Sequence, residues 1–381
     1  GRTWRTALAT IQEGLDAAAR LGGGEVWVAG GTYKPTAGTD RGASIELRPG
    51  VAVYGGFAGT EANLDDRRWE QNPTILSGDI GREDDASDNC LHVVTGADDA
   101  VLDGFTIAGG YALDAGGAGA RGDLPRGRPA GPPFDRLAGA TGGPSGQPPI
   151  HLTPETILRG ANPSAGAGMV NYQCAPTIRN CIFRDNAAGK GGAMYNMVSR
   201  DFPPRPESSA PAPLVVNCQF RNNYARGRGG AVANDLGTHP VFRDCTFVGN
   251  SCEGKGGAIY NDFGCSPTLV NCLFAENQSL SAGAIGNDGG SSPRMVHCTF
   301  TRNTAQEEGA ALYQGTGPAN NPLIVGCIFW GNRCDNGPAE IFNWHDNDPQ
   351  VSGSCVQGGF PGAGNIDSDP RFVDADKGDY D

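Results

Sequence analysis

The chain has 381 residues, among them 60 glycines and 27 prolines, and a formal net charge of −13 at pH 7. The negative charge disfavours nucleic acid or an anionic membrane as the main partner. No stretch of 18 apolar residues is present, so the sequence predicts no membrane-spanning helix. A chain of this length exceeds the usual single compact domain, whereas a repeat protein grows along one axis and escapes that limit.

The first predicted element is an N-terminal helix within residues 1–24. Thr3 is the expected N-cap, and the glycines at 22–24 are expected to end the helix. Its apolar face has four members spaced three or four residues apart, namely Trp4, Leu8, Ile11 and Leu15. We interpret the helix as a cap on the repeat domain formed by residues 25–381, because an open core and free strand edges would recruit other chains.

An acidic segment, SGDIGREDDASDN, occupies residues 77–89. Its candidate metal ligands are four aspartates, Asp79, Asp84, Asp85 and Asp88. Carboxylate oxygens on a flexible loop are the ligands that calcium prefers, so calcium is the one cofactor that the sequence suggests. The spacing differs from that of an EF-hand, and a solvated acidic turn is the alternative interpretation.

Two insertions interrupt the regular part of the sequence, at about 111–165 and 197–213. The first is rich in Gly and Pro, and its tail, TPETILRG, predicts a short helix capped by Thr153. Insertions of this length in a compact protein are usually functional or linkers. We expect them to shape a surface groove or contact, with simple shielding of the body as the alternative.

A unit of about 27 residues repeats through the second half of the chain. The motif Cys-x-Phe-x-x-Asn begins at Cys181, Cys218, Cys245, Cys272, Cys298 and Cys327. A glycine motif alternates with it, as in GKGGAMYNM, GRGGAVAND, GKGGAIYND, SAGAIGND and EGAALYQ. Each unit has room for three short strands and three bends, but not for an ordinary helix. In residues 267–277 Leu269, Asn271 and Leu273 alternate with Val270, Cys272 and Phe274, which is the period of a strand.

These units predict an all-β solenoid, a parallel β-helix of roughly ten coils. Neighbouring coils would lie about 4.8 Å apart, so that equivalent residues stack into ladders. Phe and Cys ladders would fill the core. One asparagine ladder is expected at Asn196, Asn234, Asn261 and Asn287. Another is expected at Asn186, Asn223, Asn250, Asn277, Asn303 and Asn332, with amides bonded from coil to coil.

The repeated GGA-[IVM]-x-N and F-x-x-N motifs resemble those of chlamydial polymorphic outer membrane proteins. EVWVAGGTYKPT, VYGGFAGTE and NPTILSGDI in the first hundred residues look like the opening coils of large secreted bacterial β-helix proteins. DSDPRFVDADKGDYD at the end looks like the start of their closing coil. The resemblance implies a right-handed parallel β-helix, a secreted or cell-surface location, and a chain that is a fragment of a longer protein.

The twelve cysteines divide into two sets. Six belong to the core ladder, where side chains that point the same way suit free thiols better than disulfides. The other six are Cys90, Cys174, Cys252, Cys265, Cys334 and Cys355. Among these six we expect some disulfides, with the pairing left open.

Three positive charges precede the glycines of successive repeats, at Lys190, Arg228 and Lys255. One interpretation is a cationic track that binds an acidic polysaccharide. The alternative is a set of solvated side chains with partners among the many acidic residues.

No nucleophile, metalloprotease or phosphate-binding motif accompanies the repeats. Our first hypothesis is therefore an extracellular or cell-surface structural or adhesion protein, which binds an acidic polysaccharide or another cell-surface protein through its loops and faces. The second is a polysaccharide-active enzyme, with a lyase for acidic glycans as the first choice. In such a lyase a Lys or Arg takes the proton next to the carboxylate.

Overall fold

The computed structural model describes residues 1, 3–83, 85–113, 164–198, 212–317, 320–344, 347–374 and 380. They contain one α-helix, Ile11–Arg20, and three short 3-10 helices, Trp4–Thr6, Leu64–Asp66 and Ala86–Asp88. Everything else that is regular in these residues consists of short strands arranged in four sheets.

Two sheets of ten strands each run along the molecule. Sheet 1 consists of Gly24–Ala29, Val51–Phe57, Val101–Asp103, Thr177–Arg179, Leu214–Val216, Val241–Arg243, Thr268–Val270, Arg294–Val296, Leu323–Val325 and Gln350–Ser352. Sheet 2 consists of Gly31–Tyr33, Thr74–Ser77, Phe105–Ala108, Ile182–Arg184, Gln219–Arg221, Thr246–Val248, Leu273–Ala275, Thr299–Thr301, Ile328–Trp330 and Cys355–Val356.

Two shorter sheets complete the walls. Sheet 3 consists of Tyr111–Ala112, Ala187–Lys190, Tyr224–Arg228, Ser251–Cys252, Gln278–Ser279, Thr304–Ala305 and Arg333–Cys334. Sheet 4 consists of Ile45–Glu46, Val94–Thr95, Met169–Tyr172, Met194–Met197, Val232–Asp235, Ile259–Asn261, Ile285–Asn287, Leu312–Gln314 and Ile341–Asn343.

The chain visits the sheets in the order 1, 2, 3, 4 and then returns to sheet 1 in the next coil. Each strand pairs in parallel with its counterpart one coil away, as Phe247 does with Phe274 and Asn234 with Asn261. The fold is a right-handed parallel β-helix of ten coils, as predicted. A complete coil holds four strands, whereas three were predicted, because a further bend separates sheet 2 from sheet 3.

The bend between sheets 1 and 2 depends on a residue with positive φ just before each ladder cysteine. The non-glycine residues there are Asn180, Asn217, Asp244, Asn271 and His297, with φ between 52° and 55°. Asn, Asp and His are the side chains that tolerate this left-handed region best. The polar residue before each cysteine is therefore a corner residue.

The glycine pair between sheets 3 and 4 has two separate functions. Gly256 has a φ of 77°, and a Cβ there would lie 2.3 Å from the carbonyl oxygen of Ile259. Gly257 approaches the next coil so closely that its Cβ would lie 2.2 Å from the carbonyl oxygen of Gly283. The first glycine permits the turn and the second permits the coil spacing.

The core contains the predicted phenylalanine ladder. Its six rings are fully buried at Phe183, Phe220, Phe247, Phe274, Phe300 and Phe329. Successive ring centroids lie 4.6–5.0 Å apart, and the rings are parallel within 6°. The coil spacing imposes this face-to-face stack.

Both asparagine ladders are present. In the first, Nδ2 of Asn234 donates to Oδ1 of Asn261 at 2.8 Å, and Asn261 donates in the same way to Asn287. In the second, Oδ1 of Asn250 accepts from both the backbone and the side-chain nitrogen of Asn223. Only the second ladder satisfies backbone groups of the bends, so the two ladders differ in what they stabilise.

All twelve cysteines are free thiols, eleven of them buried. The disulfides expected outside the ladder are therefore absent from a set that the structure describes completely. Cys252 and Cys265 pack as apolar residues of the body. Burial raises the pKa of the Cys252 thiol to about 12, so this side chain stays protonated.

The N-terminal helix caps the first coil as predicted, but it begins at Ile11. Thr10 is its N-cap, since its hydroxyl accepts from Glu13 N and the Glu13 carboxylate accepts from Thr10 N. Thr3 instead precedes the first 3-10 helix and makes no capping bond. The capping box explains the later start, because it satisfies two free donors at once.

The cap covers the strand edge as well as the core. Ile11 and Leu15 pack into the core cluster, while Leu8 stays 45% exposed. The Gln12 side chain donates to the carbonyl oxygen of Glu46 and accepts from its N–H. The helix thus satisfies backbone groups of Ile45–Glu46, the edge strand of sheet 4.

Most of both insertions lies outside the described residues, as does the helix predicted at Thr153. Their described ends show where they leave the body. The first runs from sheet 3 after Leu113 to sheet 4 after Ser164, and the second runs from sheet 4 to sheet 1. Each insertion therefore begins or ends beside sheet 4.

Truncating one ring of the phenylalanine ladder tests the register of the core. We expect Phe247→Ala to lower the free energy of unfolding by about 3–5 kcal/mol, because it leaves a cavity in a close-packed stack. Phe263→Ala is the matched control, since that ring is 53% exposed, and it should cost less than about 1 kcal/mol. Denaturant unfolding measures both values, and a neutral Phe247→Ala would contradict the register.

A second prediction concerns Glu340, which ends the second asparagine ladder. Its Oε2 accepts from Asn332 Nδ2 at 2.6 Å, and burial raises the pKa of the carboxyl from 4.5 to about 7. Folding therefore favours the protonated acid. This stabilisation is fully present below pH 4.5 and is lost as the pH rises through 7, which amounts to about 3 kcal/mol.

Glu340→Gln should remove this contribution, because the amide stays neutral at every pH. Chemical unfolding at pH 5 and pH 8 should show a smaller loss of stability in the variant than in the parent protein. An identical pH dependence of the two proteins would show that Glu340 does not titrate in this range.

Candidate functional site

The three predicted cations lie in one row on three successive coils. Lys190 and Arg228 are register partners in sheet 3, and Lys255 occupies the corresponding position before sheet 4 in the next coil. We call Lys190, Arg228 and Lys255 the cation row. It lies beside the outer face of sheet 4, as the stacking of equivalent residues requires.

Each cation is paired with a carboxylate one coil further along. Lys190 Nζ lies 3.4 Å from Asp235 Oδ2, Arg228 Nη1 lies 3.1 Å from Asp262 Oδ2, and Lys255 Nζ lies 3.0 Å from Asp288 Oδ2. We call the three acids the aspartate row. The two rows together carry no net charge, so the three cations have acidic partners, as the alternative interpretation of the sequence expected.

Tyrosines occupy alternate coils on the outer face of sheet 4 over five successive strands. This tyrosine row consists of Tyr195, Tyr260 and Tyr313, with Ala233 and Gly286 on the coils between them. The small residues leave room for cations of earlier coils. Arg228 Cζ lies 4.8 Å and Lys255 Nζ 4.5 Å from the ring centroids of Tyr260 and Tyr313.

The tyrosine hydroxyls join the two charged rows. Tyr195 Oη donates to Asp235 Oδ2 at 3.1 Å, and Tyr260 Oη donates to Asp288 Oδ2 at 2.8 Å. Arg228 Nη1 donates to the Tyr260 oxygen at 2.6 Å. The Tyr260 hydroxyl thus lies between a guanidinium and a carboxylate.

Burial controls the protonation of this network. It raises the pKa of Tyr260, and the neighbouring Asp288 carboxylate raises it further. Burial also raises the pKa of Tyr195 and of Asp262. The tyrosines remain protonated at neutral pH and act as hydrogen-bond donors.

The cations are the outermost charges of this network. The side chains of Lys190, Arg228 and Lys255 are 36%, 42% and 26% exposed, whereas those of the aspartate row are only 10–11% exposed. Buried carboxylates and tyrosines therefore fix the cation positions from below, and solvent meets the ammonium and guanidinium groups. The arrangement presents positive groups without a net positive field.

Aromatic side chains continue the same face at its C-terminal end. Phe342 is the register partner of Tyr313 and stacks on it with centroids 5.3 Å apart. Trp344 lies 6.1 Å from Phe342 and is 37% exposed. The face therefore combines polar groups and an accessible indole ring.

Three of the four aspartates predicted to bind calcium lie among the described residues. Asp79 and Asp88 lie in the loop between sheets 2 and 4, and Asp84 lies outside the described residues. Asp85 caps the 3-10 helix Ala86–Asp88, accepting from Ser87 N and Oγ at 3.1 and 2.6 Å. Within the described part of the chain, no three His, Cys, Asp or Glu side chains form a metal-binding group.

The sequence analysis missed the tyrosine and aspartate rows, although the sequence contained a signal for the latter. At the position of the aspartate row, six successive coils carry Tyr172, Met197, Asp235, Asp262, Asp288 and Gly315. The cation position reads Ala165, Lys190, Arg228, Lys255, Ser281 and Glu308. In these coils an aspartate occurs only in the coil that follows a cation. Comparing the cation position of each repeat with the aspartate position of the next repeat would therefore have predicted the pairs.

A comparison with known protein families agrees with the fold. Residues 169–356 match the family model of the right-handed beta helix region. The chain is similar in structure to the A-module of a mannuronan C-5 epimerase from Azotobacter vinelandii, at 13% identity and a TM-score of 0.31, over 95% of this chain and 98% of that one. A likeness of this degree carries no argument about the fold or the activity of this chain. No curated protein matches the sequence.

In the segments that the structure describes, no helix is long and apolar enough to cross a membrane.

Proposed function

We propose that this β-helix repeat protein is an extracellular or cell-surface binding protein, and that it holds an acidic polysaccharide along the outer face of sheet 4. The observation that carries the proposal is the cation row, whose charged heads are the exposed part of an otherwise buried network. Because these contacts hold the three cations in place before binding, their side chains lose less conformational entropy on binding than flexible ones would.

A polymer fits this face better than a small molecule does. The cations repeat on three successive coils, so the first and third are separated by about 10 Å along the helix axis. A chain of acidic sugars laid along the axis would meet one positive group on each of these three coils. Continued towards Phe342 and Trp344, it would pass Ser281 and Glu308, which carry no positive charge. Aromatic rings beside charged groups provide the apolar contact that the faces of sugar rings require.

The pairing of the charges determines over what distance this face attracts an anion. Because the cation and aspartate rows cancel, attraction acts at short range, through hydrogen bonds from Lys and Arg to carboxylate or sulfate oxygens. Salt should weaken such binding less steeply than it weakens binding to an unpaired track.

The insertions support a functional assignment for this face. The carbonyl oxygen of Ser164, at the end of the first insertion, accepts from Gly189 N at 2.6 Å, directly beside Lys190. Met197, where the second insertion begins, is the register partner of Asp235. The described ends of both insertions thus lie beside the face that carries the charged rows.

We propose a cell-surface location and a role in adhesion because the repeat motifs resemble those of polymorphic outer membrane proteins. Another cell-surface protein is the alternative partner, and the binding experiment below distinguishes it from a glycan.

An enzyme acting on acidic glycans is the second candidate, and Tyr260 is the observation that favours it. Its hydroxyl is a protonated donor between Arg228 and Asp288, and Asp262 lies beside it at 3.3 Å. Elimination or epimerisation at a uronate needs a cation that neutralises the carboxylate, a base that takes the proton from the adjacent carbon and an acid that donates a proton. Arg228 would supply the cation and Tyr260 the acid, and the carboxylate of Asp262 or Asp288 would have to act as the base. Tyr260 is only 2% exposed, however, so the binding function is the better supported one.

The binding proposal predicts a loss of affinity when the cation row is neutralised. Replacing Lys190, Arg228 and Lys255 together by Gln should weaken binding to polygalacturonate, alginate or chondroitin sulfate at least tenfold, because each substitution removes a charged donor. Isothermal titration or glycan-array binding at two salt concentrations measures the effect. Circular dichroism must show that the variant is folded, because its aspartates lose their partners.

The control removes the same charge from other faces. Arg221, Arg243 and Arg294 are exposed on sheets 2 and 1, and their joint replacement by Gln should leave binding unchanged. Equal losses of glycan affinity in the two triple variants would show that binding depends on net charge and not on this face. Absence of glycan binding by the parent protein would contradict the proposal and leave a protein partner as the alternative.

The enzymatic candidate is tested on the same substrates. Incubation with each glycan should give no unsaturated or epimerised product if the protein only binds, as judged by ultraviolet absorbance and proton NMR. Product that disappears in Tyr260→Phe, with glycan affinity retained, would instead establish the enzyme.

A further inference from the structure

A cleft of about 340 Å³ lies between the outer face of sheet 1 and the loop of residues 58–73, which joins Val51–Phe57 to Thr74–Ser77. It belongs to the second, third and fourth coils and is separate from the outer face of sheet 4. Its lining combines two aromatic rings, two guanidinium groups and two carboxylates, namely Tyr54, Trp69, Arg67, Arg179, Asp65 and Asp103. The four charges cancel, so the cleft as a whole is neutral.

One wall of the cleft is a single position of the repeat. Tyr54 is the register partner of Asp103, and Asp103 is the register partner of Arg179. They lie on the outer face of sheet 1, because the residue that precedes each of them packs into the core cluster. Three successive coils thus place an aromatic ring, a carboxylate and a guanidinium group side by side.

Two glycines seat the loop against this wall. Gly56 has a φ of 90°, and a Cβ there would lie 2.3 Å from Trp69 Cα. Gly104 has a φ of 84°, and a Cβ there would lie 3.0 Å from Arg67 Nη1. Arg68 N also donates to the carbonyl oxygen of Gly56 at 3.0 Å. These contacts fix the loop, so the cleft exists before a ligand binds.

Arg67 and Asp103 form the floor of the cleft and satisfy each other. Arg67 Nη2 lies 2.7 Å from Asp103 Oδ1, and Asn180 Nδ2 donates to the same oxygen at 2.8 Å. Arg67 Nη1 donates to the carbonyl oxygens of Gly55 and Asp103. The guanidinium carbon of Arg67 lies 5.2 Å from the centroid of the Tyr54 ring. The bonds of this buried pair are used within the protein.

Arg179 and Asp65 are the charged groups that remain available. Arg179 Nε lies 3.4 Å from Asp103 Oδ2 but is buried without a hydrogen bond, and the side chain as a whole is 42% exposed. Since Arg67 already neutralises Asp103, that charge does not require Arg179 as well. In the described part of the chain, the exposed carboxylate of Asp65 forms no hydrogen bond or ion pair. The cleft therefore offers a fork of donors on the sheet and a pair of acceptors on the loop.

From these observations we propose that the cleft binds a neutral sugar unit. A hydroxyl group both accepts and donates hydrogen bonds, so one sugar can accept from Arg179 and donate to Asp65 at the same time. The face of the sugar ring, which carries C–H groups, packs against the half-buried indole of Trp69. The volume lies near the lower end of the range for small-molecule sites, about 300–1,000 Å³, which suits one or two sugar rings.

The opposite charges of the available groups select against charged ligands. An acidic sugar would bring its carboxylate close to Asp65, and an amine would meet Arg179, so each would lose on one side what it gains on the other. The cleft thus differs from the cation row, whose outermost groups are all positive. Its occupant is a different unit from the acidic chain proposed for sheet 4, and this inference does not depend on that proposal.

The test is titration of the whole chain with the methyl glycosides of glucose, galactose and mannose, followed by saturation-transfer NMR. At least one glycoside should bind in the millimolar range. Arg179→Gln and Asp65→Asn should each weaken that binding about tenfold, because each removes hydrogen bonds to a charged group. Asp65 is exposed and makes no side-chain bond that the fold requires, so Asp65→Asn tests the site even if Arg179→Gln fails to fold.

Two controls remove the same charges outside the cleft. Glu70→Gln changes an exposed position of the same loop, and Arg243→Gln changes the same row of sheet 1 two coils beyond Arg179. Both should keep the glycoside affinity of the parent protein within about twofold. The triple variant of the cation row should keep it too, because a neutral glycoside has no anionic group for those cations.

Absence of binding by the parent protein with all three glycosides would overturn the proposal, as would unchanged affinity in either folded cleft variant. Equal losses in the controls would overturn it as well, since the effect would then not belong to the cleft. Tighter binding of methyl glucuronide than of methyl glucoside would contradict the neutral ligand and make the cleft an anion site.

Discussion

Parallel stacking is the constraint on which the rest of the structure depends. Each residue lies against its counterpart in the next coil at the spacing of hydrogen-bonded strands, so one choice of side chain is repeated along the axis. Phenylalanines stack with centroids 4.6–5.0 Å apart, and asparagine amides form continuous ladders. A side chain is tolerated only if it can pack against, or bond to, a copy of itself or a close substitute.

Charged residues cannot satisfy that condition alone, because like charges in register repel. The outer face of sheet 4 resolves the conflict by an offset of one coil. Lys190, Arg228 and Lys255 each bind an aspartate of the following coil, and tyrosines alternate with small residues to make room. The same offset keeps the positive groups outermost, which is why this face combines structural pairing with the capacity to bind an anion.

The ladders could be predicted from the sequence because repetition identifies them without any knowledge of geometry. The number of strands in each coil could not be predicted, because the alternation of buried and exposed residues reverses at each corner. Leu269 and Phe274 both point into the core, although a single strand would place them on opposite faces. The left-handed turn at Asn271, with a φ of 53°, reverses the pattern between them.

The candidate site was predicted only in part, for a related reason. The cations were visible as one position of the repeat, whereas their partners belong to the next unit and are separated from them by 33 to 45 residues in sequence.

A crystal structure of the protein with a bound acidic oligosaccharide would show directly whether the outer face of sheet 4 holds the glycan. We expect sugar density along this face, with carboxylate or sulfate oxygens within hydrogen-bond distance of Lys190, Arg228 and Lys255. Density on another face, with the cation row still bound only to its aspartates, would contradict it.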